Sequence, residues 1–473
     1  MSTPRLPAAT CDDEQQPLLQ NGQIRKKSST SFALQLFILC YLRLVDPLNF
    51  TQIFPYINQF LADLNVSEDP SKIGLYSGLV ESAFALAQLL AIYPWASLSD
   101  RIGRKPVILS GVFGLTIATL LFGVSSSFPA MLAARALAGM FSGNVSIIPT
   151  VLCDITDASN EAFAFSLFTV WWPIGSIVGP LIGGFASDPD VLPEKYRHGI
   201  FEEYQYFLPC LMVAAINFGG FLLTYFFLQE TVEKGAESKP TFGTTTKLLL
   251  SIPIFRTICA SAFSLSFLTV SFEVVFVLFC YSPVLQGGLG LSVQQIGYSL
   301  GFAGFVGAIS QFLILPVLLR RFDHAKIYYA CVNVWPLVFL ALPALNILAR
   351  RVYDPLVGKT SSSGYDASLW TGIAVVLATS KVGIWPYLVN MLLVKNYTPP
   401  SVIGSANGLL QLFICISRAF GPIITSTIFS LSVSRHLLSG YLWAIFLSAL
   451  AIGGTLVARR IINHSHRLRV QQL

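Results

Sequence analysis

Long apolar stretches separated by short polar ones run through almost the whole chain. They recur at about 34–61, 73–97, 107–125, 128–152, 162–186 and 204–228, then at 254–285, 292–319, 326–349, 369–394, 402–432 and 437–459. A helix needs about 20 apolar residues to cross a ~30 Å hydrocarbon core. Inside that core, a helix can satisfy all of its own backbone polar groups. The pattern predicts an all-α membrane protein of twelve transmembrane helices in two six-helix bundles, 32–228 and 254–460. A polar linker at 229–253 joins the bundles, and tails 1–31 and 461–473 flank them. The polar first thirty residues contain no signal-peptide apolar region, so the first membrane helix is expected to act as its own insertion signal.

The shortest connection is the most charged. Between the second and third runs, positions 98–106 read Leu-Ser-Asp-Arg-Ile-Gly-Arg-Lys-Pro, with Gly103 where a sharp turn is required. Two long helices with so little between them form a tight hairpin, and the positive-inside rule puts its tip in the cytoplasm. The same orientation places Lys247, Arg320, Arg321, Lys326, Lys395, Arg459 and Arg460 inside, against fewer bases such as Lys72, Arg350 and Arg435 outside. Both termini are then cytoplasmic. Asn65-Val66-Ser67 falls on the outer side and is the candidate glycosylation acceptor at Asn65.

Composition agrees with this reading and removes alternatives. Charged residues make up 11% of the chain, against roughly 25% in soluble proteins. The net charge of +6 sits in short loops, so it reads as an orientation signal and not as a nucleic-acid surface. The eight cysteines (11, 40, 153, 210, 259, 280, 331 and 415) form no CxxC or Cys/His cluster, so no metal site is indicated. Nor is there a phosphate loop or nucleophile elbow, so no enzyme is indicated. In the tail, Glu14-Gln15-Gln16-Pro17-Leu18-Leu19 fits an acidic-dileucine pattern, with Glu14, Leu18 and Leu19 as its sorting candidates.

The two halves also resemble one another. The stretch Leu319-Arg320-Arg321-Phe322-Asp323-His324-Ala325-Lys326 stands in the second half where the charged hinge stands in the first. Gly179-Pro180 in the fifth run has a counterpart in Gly421-Pro422 of the eleventh. Such pairs point to an internal duplication.

Several of these stretches carry a family resemblance. The hinge, with Asp100, Arg101, Gly103, Arg104 and Lys105, resembles the Gly-x-x-x-Asp-Arg-x-Gly-Arg-Lys signature of the major facilitator superfamily, with Ala96 in place of the first glycine. By resemblance these residues latch the halves together on the cytoplasmic side. The fifth run reads Gly175-Ser176-Ile177-Val178-Gly179-Pro180-Leu181-Ile182-Gly183-Gly184 and resembles the signature of the superfamily's proton-coupled exporters. Residue by residue, this glycine face also admits plain helix packing. Arg135-Ala136-Leu137-Ala138-Gly139 resembles the helix-four element implicated in proton coupling, and 42–57 with 95–101 resembles fungal relatives of zinc-induced-facilitator-like carriers. The resemblance implies a secondary transporter that exports or sequesters a drug, organic acid or secondary metabolite by proton antiport, in the vacuolar or plasma membrane. Its expected partners are a small-molecule solute, protons and the bilayer, with no nucleic acid. A monomer driven by the proton gradient, with no cofactor, is expected. An uncoupled facilitator and a non-transporting sensor on the same fold stay open as alternatives.

Ionisable side chains inside apolar runs are costly and so mark function. They are Arg43, Asp46, Glu81 and Arg135 in the first half and Glu273, Lys381 and Arg418 in the second. Arg43 and Asp46, three apart, share a helix face ahead of Pro47. They read either as a register-fixing ion pair or as a proton-carrying acid beside a base, with Glu81 and Arg135 as further coupling residues. Trp171, Trp172, Trp385 and Tyr387 either line a solute cavity with Glu273, Lys381 and Arg418 or face lipid. Taking the seventh helix to Leu285 and the tenth from Trp370 puts Glu273 about 18 Å and Lys381 about 17 Å from the outer boundary. That depth match predicts that Glu273 and Lys381 pair, either as a static link or as one broken by solute or proton.

Overall fold

The computed structural model describes residues 29–69, 72–157, 160–191, 199–231, 242–350, 353–354, 359–360, 363–398 and 403–472. Twelve helices among them are long and apolar enough to cross a membrane. In chain order they are α1 Phe32–Thr51, α2 Ile73–Ser99, α3 Arg104–Gly123, α4 Phe128–Ile155, α5 Phe163–Ala186, α6 Phe207–Phe227, α7 Pro253–Tyr281, α8 Val293–Arg321, α9 His324–Arg350, α10 Ala367–Asn390, α11 Ala406–Ser434 and α12 Leu442–Asn463. A two-residue antiparallel pairing, Tyr353–Asp354 with Lys359–Thr360, sits in the connection before α10. The sorting candidates Glu14, Leu18 and Leu19 lie outside the described residues.

Three boundaries differ from the hydrophobic pattern. The first run is not one helix: α1 stops at Thr51 and a separate short helix covers Ile57–Asp63. Pro55 supplies no backbone N–H and disfavours helical geometry at Phe54, so the apolar stretch turns between them. Helix α7 ends at Tyr281 and not near Leu285, because Pro283 follows. The linker is not uniformly extended, since Phe242–Ser251 forms a helix that buries Leu249.

Four spans are broken within the membrane segment. In α4 the break falls at Ser142 and Gly143, where a side chain on Gly143 would meet the Trp95 ring at 2.5 Å. In α10 it falls between Val382 and Pro386, just beyond Lys381. Breaking a helix in lipid frees carbonyls that need partners. At this break the indole N–H of buried Trp335 donates to the Gly383 carbonyl at 3.2 Å. The breaks in α8 and α9 fall just before Pro316 and Pro336.

The expected hairpin between α2 and α3 is present. Helix α2 runs on past Ser99 to Ile102, so Gly103 alone separates it from α3, at φ +104°, a backbone conformation that favours glycine. Its surroundings are anionic. The Glu230 carboxylate accepts from the backbone N–H groups of Arg104 (2.9 Å) and Lys105 (3.0 Å), capping the start of α3. Arg104 pairs with Asp154 at the end of α4. Gly103, Arg104 and Lys105 are thus braced by the ends of α4 and α6, within their own half. Arg101 is exposed. Asp100 lies in the last turn of the helix Ile73–Ile102.

The halves meet through small residues at the end away from the hinge. A Cβ on Gly78 would lie 2.7 Å from the Pro422 carbonyl oxygen and from the Ser426 Cβ, and one on Gly74 would reach the Ser430 hydroxyl at 3.0 Å. Ser82 Oγ accepts from the Ile423 backbone N–H at 3.1 Å. The equivalent contact joins α5 to α8: a Cβ on Gly184 would meet the Gly297 Cα at 3.0 Å. Beyond it, Gln294 donates to the Asp188 carboxylate. Helix α2 on α11 and α5 on α8 are the two pairings that a duplicated bundle produces.

Within the first half, α5 lies against α1 as its glycines predict. Cβ atoms on Gly175, Gly179 and Gly183 would meet the Leu44 carbonyl, Thr51 Oγ1 and the Gln52 carbonyl at 2.8, 2.2 and 1.9 Å. The second half repeats the arrangement loosely. A Cβ on Gly421 would find Val270 at 3.5 Å, an ordinary contact.

Candidate functional site

Charged side chains from both halves converge near mid-depth. Arg418 comes from α11, but its guanidinium lies over first-half rings, Phe50 at 4.8 Å and Trp172 at 5.9 Å. Arg43 lies over the same Trp172 at 4.7 Å and over Phe168 at 5.2 Å. Phe50 in turn packs on Phe84, its centroid 5.9 Å away, and Arg135 lies over Phe84 at 4.4 Å. Three arginines therefore alternate with aromatic rings across the middle of the protein. The rings attract the guanidinium groups through their quadrupoles, and do so more strongly where water is excluded.

The acids lie among these bases without touching them. No carboxylate of a described residue comes within 4.0 Å of Arg43, Arg135, Lys381 or Arg418; the ion pairs found are Arg104 with Asp154 and Lys72 with Asp69. Asp46 is buried, and its Oδ2 has no hydrogen-bond partner in the protein. The register-fixing Arg43–Asp46 ion pair is thus not made. Asp46 remains within electrostatic range of both Arg43 and Arg418. Glu81, also buried, is within range of Arg135 and Glu273.

Glu273 and Lys381 do not pair either. From the observed helix ends at Tyr281 and Ser363, Glu273 lies about 12 Å and Lys381 about 27 Å along their helices. The depth match therefore fails, because α7 ends earlier and α10 begins earlier than the hydrophobic pattern implied. Lys381 instead lays its stem over Gly307 of α8, where a Cβ would meet its Cδ at 3.1 Å. Electrostatic coupling between the two persists at longer range.

The residues expected to line a cavity divide. Trp171, Trp172, Glu273, Lys381, Tyr387 and Arg418 are half-buried, whereas Trp385 is buried in the second half's core beside the α10 break. A half-exposed charge at mid-depth is costly against lipid. The charged members, Glu273, Lys381 and Arg418, are therefore turned away from lipid, whereas Trp171 packs against the first-half core cluster that contains Cys40. Asn65 is exposed on the turn after the short helix at Ile57–Asp63, at the sealed end, with φ +50°.

A buried polar network beside Arg135 escaped the sequence reading. Asn49 and Asn217 exchange amide hydrogen bonds at 2.9 and 3.0 Å, and Thr119 donates to Asn49 at 2.8 Å. The Asn49 backbone carbonyl accepts from Arg135 at 3.5 Å. The only sequence signal was amides inside apolar runs, with Asn49 three residues after Asp46 on the same face. The aromatic partners Phe50, Phe84 and Phe168 carried none, since phenylalanine is common in membrane helices.

This geometry agrees with comparisons to known proteins. The model of the Major Facilitator Superfamily matches residues 39–422. A major facilitator-type transporter, psiT2 of Psilocybe cyanescens, is 34% identical, over 89% of this chain and 88% of its own. The efflux pump azaK of Aspergillus niger is 28% identical, over 88% of each chain. A solved bacterial homologue of the human lysosomal transporter Spinster, inward-facing and unoccupied, superposes with a TM-score of 0.67 at 16% identity. It covers 92% of this chain and 98% of its own, a likeness of fold alone. A chain of twelve spans, with the charged α2–α3 hinge and charged side chains from both halves meeting at its centre, matched by the family's model along most of its length, belongs to the Major Facilitator Superfamily.

Proposed function

We propose that this transporter exports or sequesters a small organic solute by proton antiport, using the site between its halves in alternating access. The observation that carries the reading is the meeting of Arg418, from one half, with Phe50 and Trp172 of the other beside the unpaired acid Asp46. A buried carboxylate near arginines that it does not touch has two opposed influences on its proton: burial favours the neutral form and the cations favour the charged one. Such a group can load and release a proton as the halves rock. Glu81 beside Arg135 is the second candidate by the same reasoning.

Orientation follows from the basic loops. With the 98–106 hinge in the cytoplasm, the seal of small residues lies on the outer or lumenal side, and this conformation is the inward-facing one. Export is supported by the helix-five pattern and by the efflux activity named for azaK. Vacuolar and plasma membranes both fit that direction.

The test is uptake into inside-out vesicles carrying the purified chain, over a solute panel, with and without an imposed pH gradient. Accumulation that collapses when a protonophore removes the gradient is the expected result. Equilibration insensitive to the gradient would make the protein a facilitator.

A further inference from the structure

The charges at the centre form two groups, one in which two arginines share a ring and one in which two carboxylates lie at one depth. On the α1, α5 and α11 side, Arg43 and Arg418 share the Trp172 ring at 4.7 and 5.9 Å, with no carboxylate within 4.0 Å of either. A guanidinium stacked by its face keeps its N–H edge free in the plane of the group, and that edge matches carboxylate, phosphate or sulfate. Asp46 offers these arginines partial neutralisation only, so their side of the site stays cationic.

The acidic side is built by α2 and α7, whose outer ends touch: a Cβ on Gly74 would lie 3.0 Å from Leu278. Glu81 is seven residues further along α2 and Glu273 five residues back along α7, about 10.5 and 7.5 Å from that contact at helical rise. The two carboxylates, one from each half, therefore lie at nearly one depth. Arg418 shares that level, about 6 Å along α11 from Pro422, where Gly78 meets it, with Glu81 about 4.5 Å along α2 from the same contact. Arg135 faces Glu81, and Lys381 and Arg418 face Glu273, all beyond ion-pair distance.

We infer that the solute is an aromatic zwitterion: an anionic group held by the Arg43 and Arg418 edges, an aromatic ring stacked beside Trp172 and Phe50, and an amine held between Glu81 and Glu273. A solute with an amine alone would leave Arg43 and Arg418 without a contacting anion, and one with an acid alone would leave Glu81 and Glu273 with bases only beyond ion-pair distance. Unpaired charges removed from water are what binding sites reject most strongly. An amine on Glu81 and Glu273 also occupies groups that could otherwise hold a proton, so solute and proton exclude one another there, as exchange requires. The inference rests on the transport reading above and adds the class of its solute.

The test uses the purified full chain in detergent, where binding needs no gradient. A negative result therefore leaves the coupling reading standing, and a failed vesicle assay leaves this one standing. Four indoles serve as probes: tryptophan and serotonin O-sulfate, zwitterions with close and distant charges, against tryptamine (amine only) and indole-3-propionate (acid only). At least one zwitterion is expected to bind 10-fold or more tightly than both single-charge probes. Arg418→Gln should abolish its advantage over tryptamine, and Glu81→Gln its advantage over indole-3-propionate. Tryptamine or indole-3-propionate binding as tightly as the better zwitterion overturns the inference, as does absence of binding by both zwitterions. Should a variant not fold, the rank order in the unaltered chain decides.

Discussion

At the scale of single residues, charge separated from its partner is what the centre holds. Arg43 and Asp46 share a helix face, yet the guanidinium lies on Phe168 and Trp172 and the carboxylate keeps a buried oxygen with no protein partner. A closed ion pair would be hard to protonate. An acid near, but not bonded to, two arginines keeps both protonation states within reach. Asp46→Asn removes the titratable group while keeping size and hydrogen-bonding capacity. It is expected to abolish gradient-driven accumulation in vesicles, with solute binding in detergent within a few-fold of the unaltered chain. Accumulation at the ordinary level would transfer the coupling role to Glu81, which Glu81→Gln tests in the same assay.

At the scale of elements, the hinge shows how charge fixes a turn. The Glu230 carboxylate takes two backbone N–H groups at the start of α3, and Arg104 reaches Asp154. Hydrogen bonds to charged groups are each worth about 1.5–3 kcal/mol. Glu230→Gln is therefore expected to lower stability by about 1–3 kcal/mol, read as reduced thermal stability in detergent. An unchanged melting temperature would show that water replaces the carboxylate freely. The hinge motif and the α5 glycines were legible in sequence because each answers a local demand: a positive φ at Gly103 and contact with α1 backbone at Gly183. Glu230 was not, because its partners are 126 and 125 residues away in the chain. The Glu273–Lys381 pairing failed for a related reason. Depth was counted from hydrophobic boundaries, and Pro283 ends α7 early while α10 begins before its apolar run. Helix existence is written in hydrophobicity, whereas helix ends and lateral neighbours are set by contacts between distant segments.

At the scale of the whole molecule, the seal and the orientation make one argument. Small residues on α2 and α11 let the halves touch at the end away from the hinge, and the α5–α8 pair repeats this across the pseudo-symmetric arrangement. If the basic loops are cytoplasmic, tags at either terminus or in 229–253 are accessible from the cytosol, and tags in 350–368 only from the other side. The reverse pattern would turn the seal into the cytoplasmic gate. Alternating access then requires the seal to open once per cycle. In a background with the native cysteines replaced, Gly74→Cys with Ser430→Cys tests this. A Cβ at 74 would lie 3.0 Å from the Ser430 hydroxyl, so the new thiols fall within disulfide reach, about 3.5–4.5 Å between Cβ atoms. Oxidation is expected to cut transport at least 10-fold and reduction to restore it, while binding from the hinge side persists. Transport at full rate with the cross-link complete would mean that the halves never part there, and the solute would have to leave by another route.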